Sequence, residues 1–140
     1  MARRHRQMEN VMAYARIVST ADNYLHHISN GTFAVDADEP ASLGGQGKGF
    51  APFDLYLASL AACTAITLRM YAERKKWPLE GVDVDVEFAE RGKEKNVLRR
   101  TVHLRGPLDD EQRERLLQIA NACPVHRILT GEVEVPTALG

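Results

Sequence analysis

The feature that most constrains this chain is the run Leu55–Leu68, LYLASLAACTAITL, fourteen consecutive residues without a charge before Arg69. Pro52 suits the first turn of a helix and Asp54 suits the positive end of its dipole, while Arg74, Lys75 and Lys76 suit the negative end. The sequence therefore predicts a helix from near Pro52 to about Lys76. Fourteen residues fall well short of the roughly 20 needed to span a bilayer, so the run reads as a core helix. Its middle is apolar all round and needs burial on nearly every side, more than one small sheet provides. A second sheet or a second subunit should cover it.

The flanks read as antiparallel β-structure with shorter helices. AYARIVST and NYLHHISNGTFAVDADEP hold strand-like patches, and Asn30-Gly31 favours the tight turn of a hairpin, so the opening is predicted as a meander. ASLGGQGKGFAP, with glycines at 44, 45, 47 and 49, is a loop. A phosphate-loop reading of GGQGKG fails, because Gly49 follows the lysine where Ser or Thr is needed and no strand of buried type precedes it. Beyond Trp77-Pro78, GVDVDVEFAE alternates Val82, Val84, Val86 and Phe88 with acidic residues, a strand with one wet face. VLRRTVHLRG is its expected partner across the charged hairpin ERGKEKN. DDEQRERLLQIANAC reads as a helix with an acidic first turn, interrupted by Pro124; VHRIL makes a further turn ended by Gly131, and EVEVP is predicted as a closing strand. No repeat and no linker divides the chain, so residues 11–140 are expected to form a single domain behind a tail at residues 1–10.

Composition narrows the partners. Eighteen basic residues against nineteen acidic ones give a net charge of −1, so no long-range field recruits nucleic acid or an anionic membrane, and neither is expected as a partner. The basic start MARRHRQMEN has no apolar core behind it and does not read as a secretory signal, which leaves a cytoplasmic location as the expectation. In a reducing compartment paired cysteines tend to be catalytic or redox-sensing. The chain has two, Cys63 and Cys123.

On a helix Cys63 shares its face with Tyr56, Ser59, Leu60, Ile66, Thr67 and Met70, an apolar surface with hydroxyls that suits a small pocket. Taken alone it also fits a buried cysteine acting as a small hydrophobe. Cys123 precedes Pro124 and so stands at a helix N-cap, where unpaired amides stabilise a thiolate; the bland alternative is a hinge cysteine without chemistry. Two thiols support a cycle in which one attacks an electrophile such as a peroxide O–O bond, becomes a sulfenic acid and condenses with the other. That cycle requires their α-carbons within about 7 Å. Metal is the rival use, with Cys123 and His126 as C-x-x-H and Cys63 as a third ligand. No fourth ligand stands at a customary spacing, so neither metal nor cofactor is expected and His126 reads as solvent-facing.

APFDLYLASLAACTAITLRMYAERKKWPLEGVDVDVE followed by NACPVHRIL resembles the OsmC/Ohr family of thiol-dependent hydroperoxide reductases. The branch with D-E-P-x-x-x-G-G before the long helix is the most similar, here Asp38, Glu39, Pro40, Gly44 and Gly45. The resemblance covers residues 11–138. It implies an α+β fold in which antiparallel sheets pack with two main helices, and an interlocked homodimer that would cover the apolar helix. It further implies that Cys63 is the peroxidatic and Cys123 the resolving cysteine of an antioxidant enzyme. Its substrates would be organic or fatty hydroperoxides and its reductant an external dithiol, a lipoylated protein in some members. The dipole argument makes Cys123 the more acidic thiol; the assignment of roles follows the resemblance.

One departure bears on activity. The family's long helix begins N-P-E, and that glutamate pairs with an arginine from the N-terminal region. Here Phe53 fills the glutamate position, Asp54 lies one step on, about 100° round an ideal helix, and Glu39 is the other nearby acid. Arg16 is the arginine candidate by elimination. Loss of the glutamate favours a second reading, a ligand-binding or redox-sensing module with a pocket near Tyr56, Ser59 and Thr67. Retention of both cysteines favours the enzyme, and a purely structural cysteine pair is the third reading.

Overall fold

The structure is a computed structural model and describes residues 13–140. The tail expected at residues 1–10 lies outside the described residues. The described chain runs β1 (Arg16–Ser19), β2 (His26–Ser29), β3 (Ala34–Ala37), a short 3₁₀ turn (Ala41–Leu43), α1 (Pro52–Lys75), β4 (Gly81–Arg91), β5 (Asn96–Arg105), α2 (Asp110–Ala120) and α3 (Pro124–Leu129). It forms two compact units, one ending at Leu55 and one comprising Tyr56–Gly140. This is an α+β architecture with two antiparallel sheets.

In the first unit β1, β2 and β3 form the predicted meander, with Ile28 facing Ile17 on one side and Val35 on the other. The turn between β2 and β3 is wider than a two-residue hairpin. The Asn30 side chain accepts from the backbone N–H groups of Thr32 and Phe33 at 3.0 and 2.7 Å, and Gly31 adopts φ 93°, a left-handed conformation that glycine takes without steric cost. The glycine loop is organised by Asp38, 3% exposed, whose carboxylate accepts from the N–H groups of Glu39 (2.8 Å), Gln46 (3.2 Å) and Lys48 (3.1 Å). Those loop amides are thereby occupied by a carboxylate of the chain itself, which gives the failure of the phosphate-loop reading a physical basis. Gly45 is required because a Cβ there would lie 1.9 Å from the Glu39 carbonyl oxygen. The D-E-P-x-x-x-G-G motif is therefore a folding device for this loop.

In the second unit α1 ends where the sequence placed its basic residues. The Trp77 N–H donates to the Ala72 carbonyl and the Lys76 N–H to that of Glu73, with Lys76 at φ 58°, a Schellman ending without its usual glycine. β4 and β5 pair as expected and shift register between Phe88 and Glu90. Val82, Val84, Val86 and Phe88 are half-buried, while Asp83, Asp85 and Glu87 face water in ion pairs with Arg105, His103 and Arg99. Exposed pairs of this kind contribute little to stability. The sheet's apolar face meets a core of Leu68, Tyr71 and Ala72 from α1 with Leu108, Leu116 and Ala120. Leu68 and Leu116 are fully buried, each worth about 2 kcal/mol in area removed from water. At the start of α2 Asp109 closes a capping box with Gln112.

One expectation needs correction. EVEVP does not form a strand: residues 132–136 are irregular, Val133 and Val135 are exposed, and among the described residues no strand pairs with them. The apolar circumference of α1 is only partly covered. Leu60, Thr64, Leu68, Tyr71 and Ala72 are buried, whereas Ile66 is 54% and Met70 64% exposed. By length and composition α1 could cross a membrane, but its buried face is spoken for by the core of its own unit.

Candidate thiol site

Cys63 lies mid-way along α1, half-buried, and Cys123 stands at the N-cap of α3, fully buried. The fold brings these sulfurs, sixty residues apart in sequence, close enough for each to shift the other's pKa. Their environments differ. Burial pushes the Cys63 thiol up, and donating its proton toward Cys123 raises it further; the Val125 N–H and the Thr67 hydroxyl act the other way. Burial alone would also push Cys123 up, but donors from Cys63, the His126 N–H, the Thr64 hydroxyl and the Val125 N–H outweigh it and bring Cys123 below the ordinary thiol range. Of the two, Cys123 is therefore the more acidic thiol, as the N-cap argument expects, and Cys63 the less acidic.

Two residues that sequence reasoning missed complete the site. Thr64, with no exposed surface, donates its hydroxyl to the Leu60 carbonyl at 2.7 Å and also lies within reach of Cys123. Arg100 of β5 donates Nη1–H to Thr64 Oγ1 and Nη2–H to Asn121 Oδ1, each at 3.1 Å. Burial lowers its pKa and the charges on Cys123 and Cys63 raise it. The signal was present in the alternation of β5: Arg100 pairs with Val86 and shares its face with Leu98, Val102 and Leu104, a position where an apolar residue is the norm.

Asp54, weighed as a replacement for the family's glutamate, has another engagement. Asp54 accepts from the Ala51 N–H at 3.1 Å and caps α1. Glu39 supplies its backbone to the glycine loop, and Arg16 stands on β1 of the first unit. Beside Arg100 a cavity of about 370 Å³ is walled by Tyr56, Leu60, Leu98 and Leu129, with His126 and Thr130 at its polar side. Of the three hydroxyls expected in a pocket, Tyr56 is in this wall, stacked on Phe88 at 6.2 Å; Ser59 turns back to the Tyr56 carbonyl and Thr67 serves Cys63. His126 is half-buried and held below its usual range by burial and by Arg100, a correction to its solvent-facing reading.

The profile of the OsmC-like protein family matches residues 45–138, two thirds of the chain. The chain belongs to the OsmC-like family. No curated protein sequence matches it. Its fold is similar to that of an OsmC-like protein from Mycoplasma pneumoniae, with 20% identity over 87% of this chain and 89% of that one and a TM-score of 0.72. It is also similar to the organic hydroperoxide resistance protein OsmC from Legionella pneumophila, with 24% identity over 87% and 91% and a TM-score of 0.63. A third similar structure is the organic hydroperoxide resistance protein OhrB of Bacillus subtilis, with 22% identity over 89% and 94% and a TM-score of 0.62. At these identities the structures establish the fold. In this OsmC-like chain the described residues contain no group of three His, Cys, Asp or Glu side chains that could hold a metal ion.

Proposed function

We propose that this OsmC-like protein reduces organic hydroperoxides through a two-cysteine cycle in the cytoplasm, with Cys63 attacking and Cys123 resolving. The observation that carries the reading is the nearness of the two thiols, one half-buried and one fully buried, each close enough to shift the other's pKa. The more accessible sulfur is the one a peroxide reaches. The buried sulfur, Cys123, is the more acidic and, once ionised, serves as the base.

The electrons and protons balance as follows. Cys63 passes its proton to the ionised Cys123 and attacks the distal peroxide oxygen; the S–O bond forms as the O–O bond breaks. The departing alkoxide takes the proton from Cys123 and leaves as the alcohol. Cys123, again a thiolate, attacks the sulfur of the Cys63 sulfenic acid, forming the disulfide and releasing hydroxide, which solvent protonates to water. An external dithiol then returns both sulfurs to the thiol state by exchange.

Stopped-flow mixing of the reduced protein with cumene hydroperoxide tests this. Rapid thiol loss that Cys63→Ser abolishes is expected, with Cys123→Ser halting at a sulfenic acid and forming it more slowly for want of its base. Wild-type oxidation no faster than free cysteine would reject the enzyme. A second reading, a ligand-binding or redox-sensing module, is favoured by the raised Cys63 thiol and the adjacent cavity of about 370 Å³. Slow oxidation together with a ligand retained in that cavity would select it.

A further inference from the structure

Arg100 is a cation on the apolar face of a strand, and a guanidinium does not deprotonate to relieve its burial. Among the described residues no carboxylate lies within ion-pair distance of it, and its two side-chain hydrogen bonds go to the neutral groups of Thr64 and Asn121. These contacts are placed with purpose: Thr64 follows Cys63 on α1, and Asn121 lies two residues before Cys123. The planar fork thus ties together the two segments that carry the sulfurs. We infer that Arg100 is the positioning residue of the thiol pair, holding the Cys63 and Cys123 segments together through Thr64 and Asn121 and placing its positive charge beside them.

The groups facing the pair are few. α1 contributes Cys63 itself and, from the cavity wall, Tyr56; α3 contributes His126; β5 contributes Arg100; the rest of the wall is non-ionisable. His126, kept below its usual range, is neutral near pH 7 and supplies no competing cation. Arg100 therefore places a positive charge at this site. The bond from Nη1 to Thr64 Oγ1 also fixes which way that hydroxyl can send its own proton. Its acceptors are the Leu60 carbonyl and the Cys123 sulfur, so a thiolate at Cys123 can draw the proton toward itself.

This deepens the thiol-cycle reading and rests on it for its purpose, but its test requires no peroxide. The pH dependence of iodoacetamide alkylation, read by mass spectrometry at each cysteine alongside the thiolate ultraviolet absorbance, gives the apparent pKa of the pair in wild type, Arg100→Gln and Arg100→Lys. Arg100→Gln retains hydrogen-bonding capacity without charge and should raise the apparent pKa by about one unit, a roughly tenfold loss of thiolate at neutral pH. Arg100→Lys, which keeps the charge, should stay near the wild-type position. An Arg100→Gln profile that overlies wild type overturns the assignment. Should the glutamine variant fail to fold, the lysine variant decides: a profile at the wild-type position supports the assignment and one displaced upward by a unit overturns it. Slow peroxide oxidation combined with the expected shift would sink the enzyme reading and leave Arg100 in place.

Discussion

At the scale of single residues, Asp38 shows how much structure one side chain can hold. The N–H of Lys48 foremost, then those of Glu39 and Gln46, outweigh burial and keep its carboxyl below the usual range. A carboxylate depressed in the folded state stabilises the fold above its unfolded pKa, and that contribution disappears as pH falls through the folded value. Asp38→Asn should therefore lower the thermal midpoint near neutral pH by about 5 °C or more, a gap that narrows as the medium is made acidic; scanning calorimetry across pH checks this. An equal gap at every pH would assign the loss to shape and not to charge. The contrast between Asp38 and Arg100 shows what a sequence reveals at this scale. Asp38 sits in a recognisable motif, yet its role as an acceptor for three amides depends on a loop whose path is set by Gly44 and Gly45. Arg100 broke the alternation of its strand, a visible anomaly, but which sulfur-bearing segments it meets depends on contacts 21 and 36 residues away in the chain.

Elements were legible where local chemistry decides them. The caps of α1 and α2 and the alternation of β4 and β5 follow from residues within one or two turns or one strand, and Cys123 before Pro124 marks its N-cap without long-range information. EVEVP alternates equally well and forms no strand, because a strand also needs a neighbour, which periodicity does not supply. The end of α1 was legible in position but not in manner. Lys76 takes the left-handed conformation that glycine adopts freely, at a cost of about 1 kcal/mol for a residue with a Cβ. Lys76→Gly should recover part of that, stabilising the protein by up to about 0.5 kcal/mol after the entropy glycine adds to the unfolded chain. Urea unfolding should show a higher midpoint with an unchanged slope. A lower midpoint would mean that the lysine side chain, whatever its backbone strain, contributes more than the conformation costs.

For the whole molecule, the long apolar helix anticipated the main question that remains after folding. Its buried face is fixed by the core, while Tyr56, Ile66 and Met70 stay exposed, and they lie on the face that carries Cys63. An apolar face of this kind beside a half-buried thiol is completed most economically by a second copy of the chain, as the family resemblance implies. A symmetric dimer closing over this face would exclude water from Cys63, strengthening the hydrogen bonds and charges that act on the pair. Light scattering on the size-separated protein at micromolar concentration should therefore give twice the chain mass. Placing a charge in the face, Met70→Glu or Ile66→Glu, should shift the population to monomer while leaving the far-ultraviolet circular dichroism intact, since neither side chain belongs to the core. The monomeric variants should also lose rate in the peroxide reaction, because Cys63 then faces bulk water. A wild-type monomer at that concentration would show that the helix is left open by this chain, and the access of peroxide to Cys63 would be governed by the monomer surface alone.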